Sequence, residues 1–135
     1  MKRICLILVV SSLTASLFAQ QLASVNLVSA TMATPAFAWL TTTHDFGKIK
    51  VNKPVTHEFR FKNSGDAPLV ISSVKASCGC TVAAYSKDPI PPGAEGFVKA
   101  TYDAAKVGVF NKTVTVNANA EESIVQLSIK GEVVE

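Results

Sequence analysis

Hydrophobic and polar residues alternate along several short segments of the chain, most clearly in residues 55–62. There Val55, His57, Phe59 and Phe61 would lie on one face of an extended strand, and the residues between them are polar. A period of two residues is typical of a strand that buries one face and exposes the other. This segment is therefore predicted to be a half-buried strand of an antiparallel sheet.

Turn signals divide the rest of the chain into further short strands. Residues 63–68 are rich in Asn, Ser, Gly, Asp and Pro, and residues 88–93 contain three prolines, which cannot lie in a central strand. Some six or seven short strands over about ninety residues predict an all-β fold, an immunoglobulin-like antiparallel β-sandwich of about seven strands. The strands predicted after residue 62 are 69–74, 81–85, 97–102, 109–119 and 123–134.

The predicted core consists of apolar residues spaced to face inward from these strands. The Cys…Trp…Cys spacing of antibody domains is absent, so apolar packing alone must hold the two sheets together. Burial of one large apolar side chain stabilises the fold by roughly 1.5–3 kcal/mol. The core candidates are Phe46, Phe59, Phe61, Val74, Val98, Tyr102, Phe110, Val114, Val116, Leu127 and Ile129.

The N-terminal residues have a different pattern. Two basic residues after Met1 precede an uninterrupted apolar run and then small residues up to Ala19. This order is typical of a secretory signal peptide. We predict a signal peptide at residues 1–19, a linker or extended leader at 20–38 and the sandwich at 39–135.

Two cleavage positions fit this leader. The predicted cut follows Ala19, and a small-x-small match that ends at Ala38 allows a longer leader. Pro35 and several polar residues interrupt the apolar stretch before residue 40, which argues against a membrane span. We therefore expect an exported protein, periplasmic or secreted, whose mature chain has no transmembrane anchor and has lost Cys5 with the leader.

Composition limits the classes of function. The 135 residues suffice for one ordinary domain, with 48% hydrophobic and 17% charged residues. The formal net charge is +3, from 13 basic and 10 acidic residues, and without Lys2 and Arg3 the balance is 11 against 10. A nearly neutral body argues against nucleic acid as a partner. The sequence contains no nucleophile elbow, phosphate-binding glycine loop or His-Glu metal helix, so an enzyme is not expected.

Cys78-Gly79-Cys80 is the most distinctive chemical feature of the sequence, and its first interpretation is a disulfide. In a fully extended strand the two Cα atoms would be roughly 6.5–7 Å apart, at the limit for a disulfide, and Gly79 could let the chain bend. So short a loop would stabilise the protein by only about 1.5 kcal/mol. A disulfide here therefore fits a redox element better than a structural crosslink.

Two other interpretations of the cysteine pair remain open. Two thiolates on one strand would suit Cu(I), or half of a zinc site. The other candidate ligands, His44 and His57, complete no zinc signature by their spacing. The last interpretation is structural, because Ala, Ser and Thr flank the pair and together form a tight corner of small residues at a strand end.

Four segments of the sequence resemble one known family, in order and with similar spacing. They are His-Asp-Phe-Gly-Lys-Ile at 44–49, Phe-Arg-Phe-Lys-Asn-Ser-Gly at 59–65, Ser-Cys-Gly-Cys-Thr at 77–81 and Ile-Pro-Pro-Gly at 90–93. They are similar to the motifs of the bacterial domain-of-unknown-function 1573 family, over about residues 39–134. This resemblance implies an immunoglobulin-like sandwich related to Hydin and major-sperm-protein-like domains. It implies no biochemical function, because the family has none assigned.

The resemblance also selects candidate site residues. The main departure from the family pattern is His44, at a position where an aromatic residue or Glu is frequent. The disulfide, redox or metal candidates are Cys78 and Cys80, and the signature and turn residues are Asn63, Gly65, Ser77, Gly79, Thr81, Pro92 and Gly93.

The leading functional hypothesis is an exported, non-catalytic binding or scaffold module of the cell envelope, with an unknown exported protein as partner. Sandwiches recruit partners by adding a strand to an open edge, and the C-terminal pair Val133-Val134 is one candidate for such an edge. The alternative is a thiol-redox or Cu(I)-handling module that uses Cys78 and Cys80. Apart from Cu(I), no cofactor is expected.

Overall fold

A computed structural model of the chain describes residues 32–135, and every regular element in this range is a β-strand. The predicted signal peptide and residues 20–31 of the predicted linker lie outside the described residues. Within them, no helix is long and apolar enough to cross a membrane. The strands are β1 (Phe37–Trp39), β2 (Thr43–Lys50), β3 (Val55–Asn63), β4 (Ile71–Ala76), β5 (Thr81–Tyr85), β6 (Glu95–Tyr102), β7 (Gly108–Ala118) and β8 (Ile124–Val134).

The strands form two sheets of four, in the orders β1-β3-β6-β5 and β2-β8-β7-β4. All neighbours are antiparallel except β2 and β8, which are parallel. This arrangement confirms the predicted immunoglobulin-like sandwich. It contains one strand more than the predicted seven, because β1 forms at the end of the segment interpreted as linker or leader.

The core lies between the two sheets, where the alternating pattern placed it. All of the predicted core residues are buried except Phe46 and Val74, which are partly buried and pack against the others. His57 shares the inward face of β3 with Phe59 and Phe61, as the alternation predicted, and is half-buried. The period of two was therefore sufficient to identify the buried face.

The chain changes sheets at both sides of the sandwich. Residues 40–42 lead from β1 in the first sheet to β2 in the second, and residues 77–80 lead from β4 in the second sheet to β5 in the first. The prediction that the C-terminal pair forms an open edge is wrong. β8 lies between β2 and β7, and Val133 pairs with Ile49 on one side and with Gly108 on the other.

Candidate functional site

The short connection between β4 and β5 carries the cysteine pair and is anchored to both sheets. The Ser77 main-chain N–H donates to the Thr113 carbonyl at 2.8 Å, and the Thr113 N–H donates to the Ser77 hydroxyl at 3.1 Å. On the other side, the Asp103 N–H donates to the Cys80 carbonyl at 3.0 Å. These bonds continue the β4–β7 and β5–β6 ladders into the connection, so its ends are fixed independently of the cysteine side chains.

Cys78 and Cys80 are joined by a disulfide. Their Cα atoms are 5.3 Å apart, less than the roughly 6.5–7 Å of an extended strand and within the usual disulfide range. A turn shortens the chain here, because the Thr81 N–H donates to the Cys78 carbonyl at 3.3 Å. The buried Thr81 hydroxyl lies 3.7 Å from the Cys78 sulfur. Cys80 packs against the hydrophobic core.

The chain bends between the cysteines, as the sequence suggested, but the backbone conformation of Gly79 does not require glycine. Its φ is not among the positive values, so the turn requires no left-handed backbone there. A Cβ added at this position would meet no atom within 4 Å. The space that a side chain at position 79 would occupy is therefore open, and the bend between the cysteines is one that other residues also adopt.

The structure does not bring the histidines to the cysteines. His44 on β2 and His57 on β3 lie at one side of the sandwich, whereas the Cys78–Cys80 disulfide lies at the opposite side, between β4 and β5. Among the described residues, no group of three or more His, Cys, Asp or Glu side chains is placed to hold a metal ion. In the disulfide form the two sulfurs are not thiolate ligands. A mixed Cys–His site is therefore not assembled in this fold.

The two histidines instead stack on each other across the gap between the sheets. Their ring centroids are 3.7 Å apart and their planes differ by 6°. Phe46 and Phe59 pack edge-to-face against this pair, each at 4.6 Å from one of the rings. Burial, and to a smaller extent the charge of His44, lower the pKa of His57, while Glu58 acts in the opposite direction. Two positive rings in contact would repel, so the stack favours a neutral His57.

The lowered pKa of His57 predicts that acid weakens the fold. Between the folded-state pKa and the unfolded value of about 6.5, the unfolded chain binds more protons, so the free energy of unfolding rises with pH. This contribution is complete above about pH 6.5 and is lost as the pH falls through the folded-state pKa. Urea unfolding between pH 5 and 8 measures it. His57→Phe, which keeps an aromatic ring without a charge, should lose stability less steeply on acidification; an identical pH profile would contradict the prediction.

Asn63, the last residue of β3, has a fully buried side chain with four hydrogen bonds. Its amide group donates to the Ala67 and Ile90 carbonyls at 2.8 and 2.9 Å. Its carbonyl oxygen accepts from the Gly65 N–H at 3.0 Å and from the Ala36 N–H at 3.3 Å. One side chain thus connects the β3–β4 turn, the β5–β6 loop and the segment before β1. In this chain, therefore, the Asn of the Phe-Arg-Phe-Lys-Asn-Ser-Gly segment organises three loops at one end of the sandwich.

Pro92 and Gly93 form the turn that leads into β6. The Ala94 N–H donates to the Pro91 carbonyl at 3.0 Å, and Gly93 has a φ of 82°. Proline followed by a residue with positive φ is typical of a type II turn, in which glycine is strongly favoured. The Gly93 N–H also donates to the main-chain carbonyl of Asn63 at 2.7 Å. These two signature residues are therefore structural.

Gly65 is required for a different reason. A Cβ at this position would clash with the main chain of the segment before β1, including the Thr34 carbonyl oxygen and, at 2.6 Å, the Ala36 nitrogen. This segment pairs with the turn, since the Ser64 N–H donates to the Ala36 carbonyl at 3.0 Å. The last residues of the predicted linker are therefore part of the sandwich.

We expect the two signature glycines to respond differently to substitution. Gly65→Ala should lower the free energy of unfolding by about 2 kcal/mol, because main-chain atoms cannot move aside at low cost. Gly79→Ala, the matched control, should change it by no more than about 0.5 kcal/mol, because the space around it is open. Urea denaturation of both variants measures the difference. Equal losses would mean that the contact at Gly65 is relieved easily.

The four edge strands differ in how well they are protected from pairing with another chain. β1 has only three residues. β2 has an irregularity between Asp45 and Lys48, where Gly47 has a φ of 66°, and it exposes lysines. β4 also has a register shift and an exposed lysine, Lys75. Bulges, charges and shortness are the usual means of protecting an edge.

β5 has neither a bulge nor a charge, and it is longer than β1. Its five residues, Thr-Val-Ala-Ala-Tyr, contain no charge and keep a regular register with β6. Val82 is 67% exposed. Sequence reasoning identified this strand but not its edge position, although the uncharged run was a signal for it. A cleft of about 360 Å³ continues from the end of the strand, and both apolar residues, such as Tyr85 and Phe97, and the charged Lys87, Asp88 and Glu95 line it.

The pairing of β5 with β6 determines which main-chain groups of β5 are free. On the β6 side, the Asp103 N–H donates to the Cys80 carbonyl at 3.0 Å, and the Ser86 N–H donates to the Phe97 carbonyl at 3.1 Å. Bonded pairs recur at every second residue of an antiparallel ladder, so Val82 and Ala84 also bond to β6. The N–H and C=O of Ala83 therefore point toward the open edge.

Solved structures confirm the fold class of this chain. A protein of unknown function from Porphyromonas gingivalis W83 matches with a TM-score of 0.65 and 18% identity, over 73% of this chain and 47% of that chain. The ASH/PapD-like domain 7 of human CEP192 matches with a TM-score of 0.63 and 7% identity, over 76% and 87%. The secreted serine protease VesC from Vibrio cholerae matches with a TM-score of 0.58 and 14% identity, over 74% and 23%. At these identities the likeness concerns the fold alone.

The chain spans about half the length of the Porphyromonas gingivalis protein and about a quarter of VesC. No curated protein matches it significantly in sequence. A family profile, however, matches residues 37–133, from the first residue of β1 to the penultimate residue of β8. On this match the chain belongs to the family described as "Protein of unknown function (DUF1573)".

Proposed function

We propose that this chain is an exported, non-catalytic module of the cell envelope, and that it binds an extended segment of another exported protein along the β5 edge. The observation that carries the proposal is the contrast among the four edges. β1 is regular and uncharged but only three residues long, β2 and β4 are irregular and carry lysines, and β5 combines five residues, a regular register and no charge. An open edge of this kind accepts a further strand through main-chain hydrogen bonds.

The surroundings of β5 indicate the chemistry of the partner. The outward main-chain groups of Ala83 would bond to an extended segment, and the exposed side chain of Val82 would contact aliphatic residues at alternate positions of that segment. The cleft beyond Tyr85 would receive the next side chain of the segment. The expected ligand is thus an extended stretch of polypeptide that is uncharged where it pairs with β5, rather than a small molecule.

The non-catalytic part of the proposal rests on how the reactive side chains are distributed. Among the described residues, Cys78 and Cys80 are joined to each other, and both histidines of the sequence lie on the opposite side of the sandwich. Nucleophilic catalysis by cysteine needs a general base within hydrogen-bond reach. The ASH/PapD-like domain of human CEP192 has a similar fold, and this likeness concerns the architecture only.

A proline placed on the edge tests the proposal. Ala83→Pro removes the outward N–H but keeps the bonds of β5 to β6, so the sandwich should fold normally. Binding of the envelope partner, captured by the purified chain and quantified by mass spectrometry, should fall at least about tenfold, as expected when a central strand-pairing bond and its neighbours are lost. Unchanged capture by a folded Ala83→Pro variant would contradict the proposal.

A pair of lysine variants controls for general effects on the surface. Val82→Lys introduces a charge beside the β5 edge, and Ile124→Lys does the same on the outer face of the other sheet, where the side chain is similarly exposed, at 57% against 67%. Only Val82→Lys should weaken capture. An equal loss in both variants would indicate an effect of net charge rather than of the edge.

A further inference from the structure

We propose that the Cys78–Cys80 disulfide is a thiol–disulfide exchange site whose substrate is a dithiol, on a protein or a peptide. Cys78 is the sulfur that the substrate attacks, and Cys80 is the cysteine that leaves when the mixed disulfide forms. This inference goes beyond the binding function and does not depend on it.

The fold around the cysteine pair does not depend on the disulfide. Hydrogen bonds at Ser77 and at Cys80 anchor the connection to both sheets through main-chain and hydroxyl groups. The disulfide closes a loop with a sequence separation of two residues, and loop closure of this size adds little to stability. The protein should therefore remain folded when the bond is open. Exchange requires this, whereas the opening of a structural crosslink would destabilise the fold.

The two sulfurs have different surroundings. Cys80 packs against the hydrophobic core, whereas Cys78 is not part of that packing. The space that a side chain at position 79 would occupy is also open, so apart from the cysteines themselves no described residue covers that side of the loop. Attack on Cys78 is thus the less hindered route.

The thiolate that the reaction produces at Cys78 has a neighbouring hydroxyl group. The Thr81 hydroxyl lies 3.7 Å from the Cys78 sulfur, within the range of a weak hydrogen bond to sulfur. Once the disulfide opens, this hydroxyl can donate to a Cys78 thiolate, and a hydrogen bond to the charged form lowers the pKa of a thiol. Thr81 is therefore a positioning residue that favours release of Cys78.

The exchange balances without any further reactant. A substrate thiolate attacks the Cys78 sulfur, a mixed disulfide forms, and the bond to Cys80 breaks with its electron pair on Cys80. The second substrate thiolate then attacks the substrate sulfur of the mixed disulfide, and Cys78 leaves as a thiolate. The substrate dithiol is oxidised to a disulfide, the cysteine pair is reduced, and the two protons lost by the substrate pass to the two cysteines.

The first experiment compares single-cysteine variants of the full chain, in a Cys5→Ser background so that only the studied cysteines remain. Cys80→Ser keeps Cys78, and Cys78→Ser keeps Cys80. With glutathione disulfide as probe, intact mass against time should show the mixed disulfide forming at least about tenfold faster on Cys78. Equal rates, or a faster reaction of Cys80, would overturn the assignment.

Thr81 variants supply a readout that a structural role would not change. Thr81→Val should shift the pH midpoint of Cys78 alkylation upward in the Cys80→Ser background, and Thr81→Ser should restore it. An unchanged midpoint in a folded Thr81→Val variant would remove Thr81 from the mechanism.

The last measurement separates an exchange site from a structural disulfide. In the Cys5→Ser chain, the equilibrium constant for reduction by glutathione should differ by no more than about tenfold between folded and urea-unfolded protein, and the reduced protein should keep its fold. A difference on the order of a hundredfold or more, or unfolding on reduction, is the behaviour of a structural crosslink and would overturn the proposal.

Discussion

Replacing Asn63 by alanine is expected to lower the free energy of unfolding by about 3 kcal/mol, among the largest effects of any single polar substitution in this protein. The variant would leave two carbonyls and two N–H groups without their partner, in places where the side chain is fully buried. Each buried polar group left unpaired costs about 1–3 kcal/mol, and water can satisfy those nearest the surface. Urea denaturation, with the midpoint and slope compared to the unaltered chain, measures the loss.

Two further asparagine variants make this test specific. Asn117→Ala removes a part-buried amide that makes one hydrogen bond, to the Ser73 hydroxyl at 3.1 Å, and should cost less than about 1 kcal/mol. Asn63→Asp keeps the acceptor but loses the donors to Ala67 and Ile90, so at pH 7 it should be at least as damaging as Asn63→Ala. If Asn63→Ala cost no more than Asn117→Ala, the loops would not depend on this side chain.

The sequence was sufficient to predict the sandwich because the signal for it is local. Alternation in β3, β7 and β8 follows from burial of one face, and it identified inward residues such as Val114, Val116 and Leu127, all of which are buried. Proline and glycine located the turn before β6. None of these inferences needed the order of the strands in the sheets.

Edges and contacts across the sandwich could not be predicted in the same way. Whether a strand is central or at an edge depends on which strands pair. For this reason the sequence-based prediction placed the C-terminal Val133 at an edge, although β8 lies in the middle of a sheet. The stacking of His44 on His57 joins strands from different sheets. The hydrogen bonds of Asn63 reach residues 27 positions away in both directions. Such features follow from topology, which a single sequence encodes only indirectly.

β1 escaped prediction for a related reason. It has only three residues, follows a proline, and belongs to a long uncharged stretch in which no alternation stands out. Its stability comes from distant partners: Phe37 packs on Phe61 at 4.9 Å, and Ala36 bonds to Asn63. A strand held by tertiary contacts has little pattern of its own.

The binding and exchange proposals concern neighbouring parts of one side of the sandwich, and variants can separate them. Ala83→Pro alters the β5 edge three residues beyond Cys80 and should leave the glutathione reaction of Cys78 unchanged. Cys78→Ser and Cys80→Ser leave the β5 edge intact and should still capture the partner. The failure of one proposal therefore does not decide the other.

A chain that begins at Trp39 is expected to be less stable by about 4 kcal/mol than one that begins at Gln20. The shorter chain lacks Phe37, whose ring stacks on Trp39 at 5.0 Å and packs edge-to-face on Phe61. It also lacks residues 34–36, whose main-chain carbonyls accept hydrogen bonds from the turn after β3. In the same segment, the Pro35 carbonyl accepts from the Glu121 N–H at 2.9 Å. Since small domains are stable by only about 5–15 kcal/mol, this loss is a large share of the total. Urea denaturation of the two chains, purified separately, measures it.

Phe37→Ala in the longer chain shows how much of this loss comes from the aromatic contacts. We expect this variant to lose roughly 2 kcal/mol of stability, about half of the loss caused by the truncation. The rest of the loss belongs to the hydrogen bonds of residues 34–36 with the turn after β3.

These expectations also distinguish the two cleavage positions that the predicted leader allows. A cut after Ala19 keeps β1, whereas a cut after Ala38 divides it and exposes the aromatic face of Phe61. If the chain is exported as proposed, we therefore expect the N-terminus of the processed chain, determined by intact mass, to lie before residue 32. A chain that begins at Trp39 and is as stable as the longer one would show that β1 contributes nothing to the sandwich.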